Sequence, residues 1–144
     1  MLEEKIAVIA NYMWEKSIKN IKNALSEAEI SNFNMNDYYY LTMIHELKNP
    51  KMSEAADKLK LTKPAISALV KRLSRSELIT KVQSKEDKRI YYLKLTDKAL
   101  QIIEGDNRIY ERIADTITKK LDSKQITELD SLLENVIENM GDEL

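Results

Sequence analysis

The chain has 144 residues and a mass of 16.7 kDa, the usual size of one domain, which argues against a multidomain enzyme. It has no cysteine and one histidine, so thiolate chemistry is excluded, and a zinc site would need carboxylates almost alone, which suit zinc poorly. We expect no cofactor and no metal. The longest uncharged stretch near the start, Ile6 to Trp14, is too short to span a bilayer and has no basic region before it. A cytoplasmic protein without a membrane partner is therefore expected.

Charge is distributed unevenly along the chain. Residues 51–96 hold 12 Lys or Arg against 5 Asp or Glu, a net charge of +7, whereas the remainder holds 11 against 19, a net charge of −8. A basic middle between acidic ends is typical of a chain whose centre meets a polyanion. Lysines scattered over a solvated surface explain the bias equally well, so local sequence patterns have to decide between the two interpretations.

The first third of the chain has the spacing of amphipathic helices. Apolar residues recurring every three or four positions predict one long helix over residues 2 to about 29. Residues 31–34 interrupt it. Asn36 can cap a second helix, which Asn49-Pro50 ends.

The basic middle begins with two helices at short spacing. Ser53 opens a short helix to Leu59, and Thr62 caps the next one, with Pro64 in its first turn, where a missing N–H costs nothing. Ala55 and Ala56 are small enough for a close crossing of the two helices. The sequence therefore predicts a helix–turn–helix.

The second helix of this motif has two different faces. Its apolar residues lie within about 50° of one direction: Ile66, Leu69, Val70 and Leu73. Small, polar and basic residues occupy the other side: Pro64, Ser67, Ala68, Lys71, Arg72 and Arg75. A helix–turn–helix presents such side chains to the major groove, where hydroxyl and basic groups contact phosphates or base edges.

Extended segments and two further helices follow. Residues 79–83 and 89–95 predict a hairpin with a charged tip at residues 84–88. Thr96, with Asp97 beside it, caps a helix to about Lys120, and Ser123 starts the last helix, whose apolar residues keep a heptad-like rhythm. Packing within one chain would cover these end helices, but two unpaired apolar stripes fit an isologous dimer better.

These segments together resemble the MarR family, the regulators of the multiple-antibiotic-resistance type. The resemblance covers nearly the whole chain and is carried by residues 62–67 (TKPAIS), by Asp87-Lys88-Arg89 and by Leu95-Thr96. It implies a mainly α fold with a small β-hairpin wing, a winged helix–turn–helix on a helical dimerisation base. Residues 1–144 would form a single MarR-like domain, with dimerisation helices at 1–30 and 97–144 and the winged lobe at 36–96.

The resemblance also implies the DNA-contacting positions. It makes Pro64, Ala65, Ser67, Ala68 and Lys71 the groove-facing part of the recognition helix. It places Arg89 in the minor groove, with Asp87 as the carboxylate that steers it. With the basic residues around them, the predicted DNA-binding set is Thr62, Lys63, Pro64, Ala65, Ser67, Ala68, Lys71, Arg72, Arg75, Lys85, Asp87, Lys88 and Arg89.

Two features of this set have an ordinary structural explanation as well. The basic residues could serve only to make a surface helix soluble, and Asp87 with Arg89 could be an exposed ion pair of little energetic value.

The chain also departs from the family at Glu77, where a glycine is common before the wing, so a left-handed turn there would cost more.

The resemblance further implies a small lipophilic or phenolic effector between the dimerisation helices and the winged lobe, with Tyr12, Tyr39 and Met43 as lining residues. Aromatic rings at helical spacing also serve as core or interface. We predict a sequence-specific, ligand-responsive homodimeric repressor, not an enzyme, that binds a pseudo-palindromic operator in double-stranded DNA through recognition helix 62–75 and wing 79–95. The alternative is a helical dimer that uses the winged fold to hold a protein partner without binding DNA.

Overall fold

The computed structural model describes residues 1–141, and within this range the protein is helical except for one hairpin. The elements are α1 (Leu2–Ala24), α2 (Glu27–Asn32), α3 (Met35–Glu46), α4 (Met52–Lys58), α5 (Lys63–Arg75), β1 (Ile79–Gln83), β2 (Tyr91–Leu95), α6 (Asp97–Lys120) and α7 (Ser123–Met140). The predicted fold class, mainly α with a β-hairpin wing, is confirmed. Two compact units divide the chain, one ending at Asn107 and the other beginning at Arg108. No helix in the described range is long and apolar enough to cross a membrane.

The predicted single helix over residues 2–29 is wrong. Helix α1 ends at Ala24, Leu25 is extended, with φ of −114° and ψ of 146°, and α2 begins after Ser26. The Ser26 hydroxyl accepts a hydrogen bond from the Glu29 backbone N–H at 3.3 Å, and the Glu29 carboxylate accepts one from the Ser26 N–H at 2.7 Å. This capping box starts a new helix. Apolar spacing continues across the break, so periodicity alone could not reveal it.

Two predicted helix starts are also displaced. Helix α3 is capped by Asn34, not by Asn36: the Asn34 side chain accepts from the Asp37 N–H, and the Asp37 carboxylate accepts from the Asn34 N–H, both at 3.0 Å. Helix α4 begins at Met52, one residue before the predicted Ser53. In α3 the reciprocal bonds satisfy two backbone groups at once, which the single cap at Asn36 would not.

The core of the first unit lies between α3, α4, α5, the hairpin and the start of α6. The predicted apolar face of α5 is buried: Ile66, Leu69, Val70 and Leu73. It shares one cluster with side chains from the neighbouring elements: Leu41, Ile44, Ala55, Leu59, Leu78, Leu93 and Ile102. Each buried Leu, Ile or Val side chain among them contributes roughly 1.5–3 kcal/mol. Ala55 and Ala56 are buried where α4 contacts α5, as their small size predicted.

The hairpin is antiparallel, with Ile79 opposite Leu95 and Gln83 opposite Tyr91. Strand β2 begins at Tyr91, two residues after the predicted start, because the turn takes up more of the chain. The Leu93 N–H donates to the Pro50 carbonyl at 2.8 Å, which ties the hairpin to the segment before α4.

Glu77, which precedes the hairpin, has a left-handed backbone with φ of 56°, although it carries a side chain where a glycine is common. The Thr96 hydroxyl donates to the Glu77 carbonyl at 2.7 Å and accepts from the Ala99 N–H at 3.2 Å. Thr96 therefore caps α6, as predicted, and also closes the base of the wing.

Helices α1 and α6 approach each other closely at Asn20 and Gly105. The Asn20 amide donates to the Ile102 carbonyl at 2.7 Å and lies 3.4 Å from Oδ1 of the buried Asp106. A Cβ atom on Gly105 would lie 2.1 Å from the Asn20 side-chain oxygen. Gly105 therefore makes room for a polar contact between the two helices.

The second unit contains the end of α6 and all of α7. Ile113 and Ile117 of α6 are half-buried, as are Ile126 and Leu129 of α7. Further along α7 the apolar residues are 47–62% exposed: Leu132, Leu133, Val136, Ile137 and Met140. Their heptad-like rhythm gives α7 an apolar face that the described residues leave exposed.

Candidate nucleic-acid interface

Helix α5 presents the predicted contact residues on its outer face. Thr62 caps it, with its hydroxyl accepting from the Ala65 N–H at 3.3 Å, and Pro64 stands in the first turn. The exposed residues of this face are Lys63, Pro64, Ser67, Ala68, Lys71, Arg72 and Arg75, while Ala65 is half-buried. The buried apolar stripe on the opposite side of α5 turns this face toward solvent.

The wing turn is held by hydrogen bonds from its own residues. The Ser84 hydroxyl accepts from the backbone N–H groups of Glu86 and Asp87 at 3.2 and 3.3 Å. The Gln83 amide donates to the Lys88 carbonyl at 2.8 Å and to the Tyr91 hydroxyl at 3.1 Å. These bonds shape the turn that carries the exposed side chains of Lys85, Lys88 and Arg89.

Arg89 and Asp87 form a fork within this turn. Oδ1 of Asp87 accepts from the Arg89 Nε at 3.1 Å and Oδ2 accepts from its Nη2 at 3.1 Å. The Arg89 side chain is 89% exposed, so its other N–H donors stay available. The hydrogen bonds from the Arg89 side chain and backbone lower the pKa of Asp87 below its ordinary value. The pair is therefore charged at neutral pH and holds a guanidinium out toward solvent.

A groove of about 580 Å³ separates the recognition helix from the wing. Lys63 and Ser67 line it from α5, and Lys81 and Arg89 line it from the hairpin. The structure thus brings residues of the predicted recognition helix and of the predicted wing to one surface. Lys81 is held there by a cation–π contact, with its Nζ 4.0 Å from the centre of the Tyr91 ring.

Arg72 and Arg75 line a different, smaller cavity of about 400 Å³ beside α2. Arg72 donates to both carboxylate oxygens of Asp37 on α3, and the hydrogen bond to Asp37 raises the pKa of Arg72 above its ordinary value. Sequence reasoning placed Arg72 among the outward cations and missed this partner. The spacing of Asn34 and Asp37 reveals the helix cap, but nothing in it reveals the link to α5.

The residues predicted to line an effector pocket lie on two helices, Tyr12 on α1 and Tyr39 with Met43 on α3. Tyr12 and Tyr39 are 42% and 51% exposed, and Met43 packs against the core. None of them lines the groove beside α5, the cavity beside α2 or a third cavity beside Ile44 and Leu95. Lys16 Nζ lies 5.3 Å from the centre of the Tyr12 ring, and Tyr39 contacts Tyr40 with the ring centres 5.8 Å apart.

The amino-acid sequence is similar to those of known regulators. The model of the MarR family matches residues 33–91, which hold α3, the helix–turn–helix and most of the wing. An uncharacterized HTH-type transcriptional regulator of Bacillus subtilis strain 168, YpoP, is 28% identical over 119 residues, which are 83% of this chain and 82% of that protein.

Solved structures show the same fold. Staphylococcus aureus MepR bound to ethidium bromide has a TM-score of 0.70 at 18% identity, over 97% of this chain and 96% of that one. Streptococcus pneumoniae FabT in complex with DNA has a TM-score of 0.66 at 19% identity, over 99% of this chain and 97% of that one.

Proposed function

We propose that this chain, whose residues 33–91 match the MarR family, binds double-stranded DNA as a homodimer and represses transcription from a pseudo-palindromic operator. One observation carries the proposal: the groove that Lys63 and Ser67 line on α5 is lined on its other side by Arg89, whose guanidinium Asp87 holds outward. A surface with cations on two elements suits a duplex, which offers phosphates on both sides of a groove.

In this proposal α5 and the wing contact different parts of the duplex. Helix α5 enters the major groove, where Ser67, Ala68 and Lys71 meet base edges and the neighbouring phosphates. The wing follows the backbone, and Arg89 enters the adjacent minor groove, whose negative potential is strongest in A·T-rich sequence. Phosphate contacts supply affinity that falls with salt, and base contacts supply specificity.

The dimer is supported by apolar side chains that stay exposed among residues 1–141. Helix α1 buries none of its residues, and Leu2, Ile6 and Ile9 are at least half exposed. Helix α7 has a comparable exposed face that includes Leu133 and Val136. A second copy of the chain would cover such faces, and two-fold symmetry would place two recognition helices about 34 Å apart, one turn of DNA.

We propose further that a small lipophilic or phenolic effector shifts this dimer between two arrangements of its winged lobes. Tyr12 and Tyr39 keep much of their ring surface free for such a ligand, and Met43 adds an adaptable apolar contact. MepR, which shares the fold, has been solved with ethidium bromide. An effector would release DNA only through different affinities for the two arrangements.

The alternatives are less favoured. An interaction module that holds a protein partner does not require a guanidinium that a carboxylate holds out in solvent beside a basic helix. The family and the relatives consist of regulators, so the protein is not an enzyme.

A titration with selected DNA tests the proposal. The tightest-binding duplex is selected from a random library, and its dissociation constant is measured by fluorescence anisotropy across a series of salt concentrations. We expect a linear fall of log affinity with log salt, with a slope of about −0.9 for each phosphate contact. Lys71→Ala should weaken binding and reduce the slope by about one unit. Salt-independent binding, or no enrichment of any duplex, would favour the interaction module.

A further inference from the structure

Arg72 connects the recognition helix to the start of α3. Its Nη1 donates to Oδ2 of Asp37 at 2.7 Å, and its Nη2 donates to Oδ1. Two parallel bonds fix the direction of the guanidinium as well as its distance. Oδ2 of Asp37 also accepts from the Asn34 N–H at 3.0 Å. One carboxylate therefore caps α3 and holds α5.

The two partners differ in burial. The Asp37 side chain is 1% exposed, whereas that of Arg72 is 44% exposed. Asp37 is thus shielded from any ligand on the outer surface, and it depends on the guanidinium because an unpaired buried charge is costly. The carboxylate of the pair therefore lies on the inner side of the recognition helix.

Arg72 is well placed to set the rotation of α5 about its axis. It follows Lys71 directly and lies one helical turn after Ala68, both of which belong to the outer face. The apolar stripe determines which side of α5 faces the core, but its aliphatic contacts tolerate small rotations of the helix about its axis. A bidentate ion pair tolerates them poorly, so it can fix the directions of Ser67, Ala68 and Lys71.

We propose that Asp37 is a positioning residue for sequence-specific DNA binding: through its fork with Arg72 it sets the rotation of the recognition helix without itself touching DNA. The inference rests on the proposed function, since it concerns how the same helix reads bases. It assigns Arg72 to orientation of the helix, in addition to any phosphate contact that its exposed face makes.

The substitution Asp37→Asn distinguishes a positioning role from a charge effect, because the two predict opposite changes in the affinity for the selected duplex. The change removes a negative charge from a DNA-binding lobe and releases Arg72, so electrostatics alone would raise the affinity for every duplex. A rotated recognition helix instead loses base contacts, which require register, and keeps phosphate contacts, which do not. Positioning therefore lowers the affinity for the selected duplex only.

The experiment compares the full-length wild type, Asp37→Asn and Glu46→Gln. Glu46 is an exposed carboxylate on the same helix with no hydrogen-bond or ion-pair partner among the described residues, so it is a matched control for loss of charge. Dissociation constants are measured at one salt concentration for the selected duplex and for a scrambled duplex of the same composition. Their quotient is the specificity ratio.

We expect Asp37→Asn to lower the specificity ratio about tenfold or more, as loss of one base contact would, with the affinity for scrambled DNA equal to or above that of the wild type. Glu46→Gln should keep the wild-type ratio. A rise of both affinities by one factor would show that Asp37 acts only through charge, and an equal fall of both would show that it acts only through folding. Either result, or an unchanged ratio, would overturn the inference.

Arg72→Lys decides the matter if circular dichroism shows that Asp37→Asn is unfolded at the assay temperature. Lysine keeps the charge but cannot form the fork. We expect the same fall in the specificity ratio with an unchanged salt slope, and a wild-type ratio would overturn the inference. A wild type that prefers no duplex would instead refute the proposed function, which keeps the two failures distinct.

Discussion

Asp87 holds Arg89 through three hydrogen bonds: its Oδ1 accepts from the Arg89 backbone N–H at 2.9 Å and from Nε at 3.1 Å, and its Oδ2 accepts from Nη2 at 3.1 Å. Exposed ion pairs contribute little to stability because both side chains lose entropy. The three hydrogen bonds instead fix the direction of the guanidinium before DNA binds.

Replacement of Arg89 by alanine should weaken binding to the selected duplex by about 1–3 kcal/mol, roughly 5- to 150-fold, because the proposed minor-groove contact would be lost. The oligomer mass in sedimentation equilibrium should not change. Lys124→Ala removes the same charge from an exposed position on α7 and is the control. Wild-type affinity in Arg89→Ala, or an equal loss in Lys124→Ala, would refute the assignment of the wing.

The Asp87 carboxyl should titrate below its ordinary pKa of 3.8, because hydrogen bonds from Arg89 favour the charged form. The folded value is the lower one, so the pair contributes its full stability above the ordinary pKa and loses it as pH falls through the folded pKa. We expect the wing turn to persist from neutral pH to about pH 4 and to loosen below it.

Carboxyl ¹³C chemical shifts measured during an acid titration check this expectation. The Asp87 midpoint should lie below 3.8 in the wild type and move up toward that value in Arg89→Gln. A wild-type midpoint at or above 3.8 would contradict the fork.

Glu77→Gly should stabilise the protein by about 0.5–1 kcal/mol. A side chain in the left-handed region costs roughly 1–2 kcal/mol, which glycine avoids, although glycine also loses more entropy on folding. The control is Ser76→Gly at the neighbouring position, where φ is −83° and glycine has no such advantage. Urea unfolding should give a higher midpoint for Glu77→Gly and a lower one for Ser76→Gly. A lower midpoint for both would mean that the turn at Glu77 is not strained.

Gly105→Ala should destabilise the protein by about 1 kcal/mol. The new Cβ would displace the Asn20 amide from the Ile102 carbonyl, a loss of about 1–3 kcal/mol that the better helix propensity of alanine offsets only in part. In an Asn20→Ala background the clash is gone, so the same substitution should become stabilising. Thermal unfolding of the four proteins measures this cycle, and equal effects of Gly105→Ala in both backgrounds would contradict the close approach.

Much of the fold was predictable because local rules decided it. The apolar stripe of α5, the Thr62 cap, the hairpin and the Thr96 cap follow from spacing and from side chains within a few residues. The break at Leu25 was missed because the apolar spacing runs through it and only the capping box of the next helix marks it.

The contacts within the candidate site were likewise predictable only where local sequence decides them. Asp87 and Arg89 are two residues apart, so their pairing could be expected from sequence. Asp37 and Arg72 are separated by 35 positions, and their contact depends on how α3 packs against α5. The Gln83 amide likewise finds its partners only once the strands are in register. Polar contacts of this kind leave no periodic signal in the chain.

Hydroxyl-radical footprinting of the wild-type protein on the selected duplex tests most directly whether a winged lobe, presented twice, contacts double-stranded DNA. The account predicts two symmetry-related sets of protected sugars whose centres lie about 34 Å apart, one helical turn, with protection in the flanking minor grooves that Arg89→Ala removes. A single protected set, or a duplex with no protection at saturating protein, would contradict it.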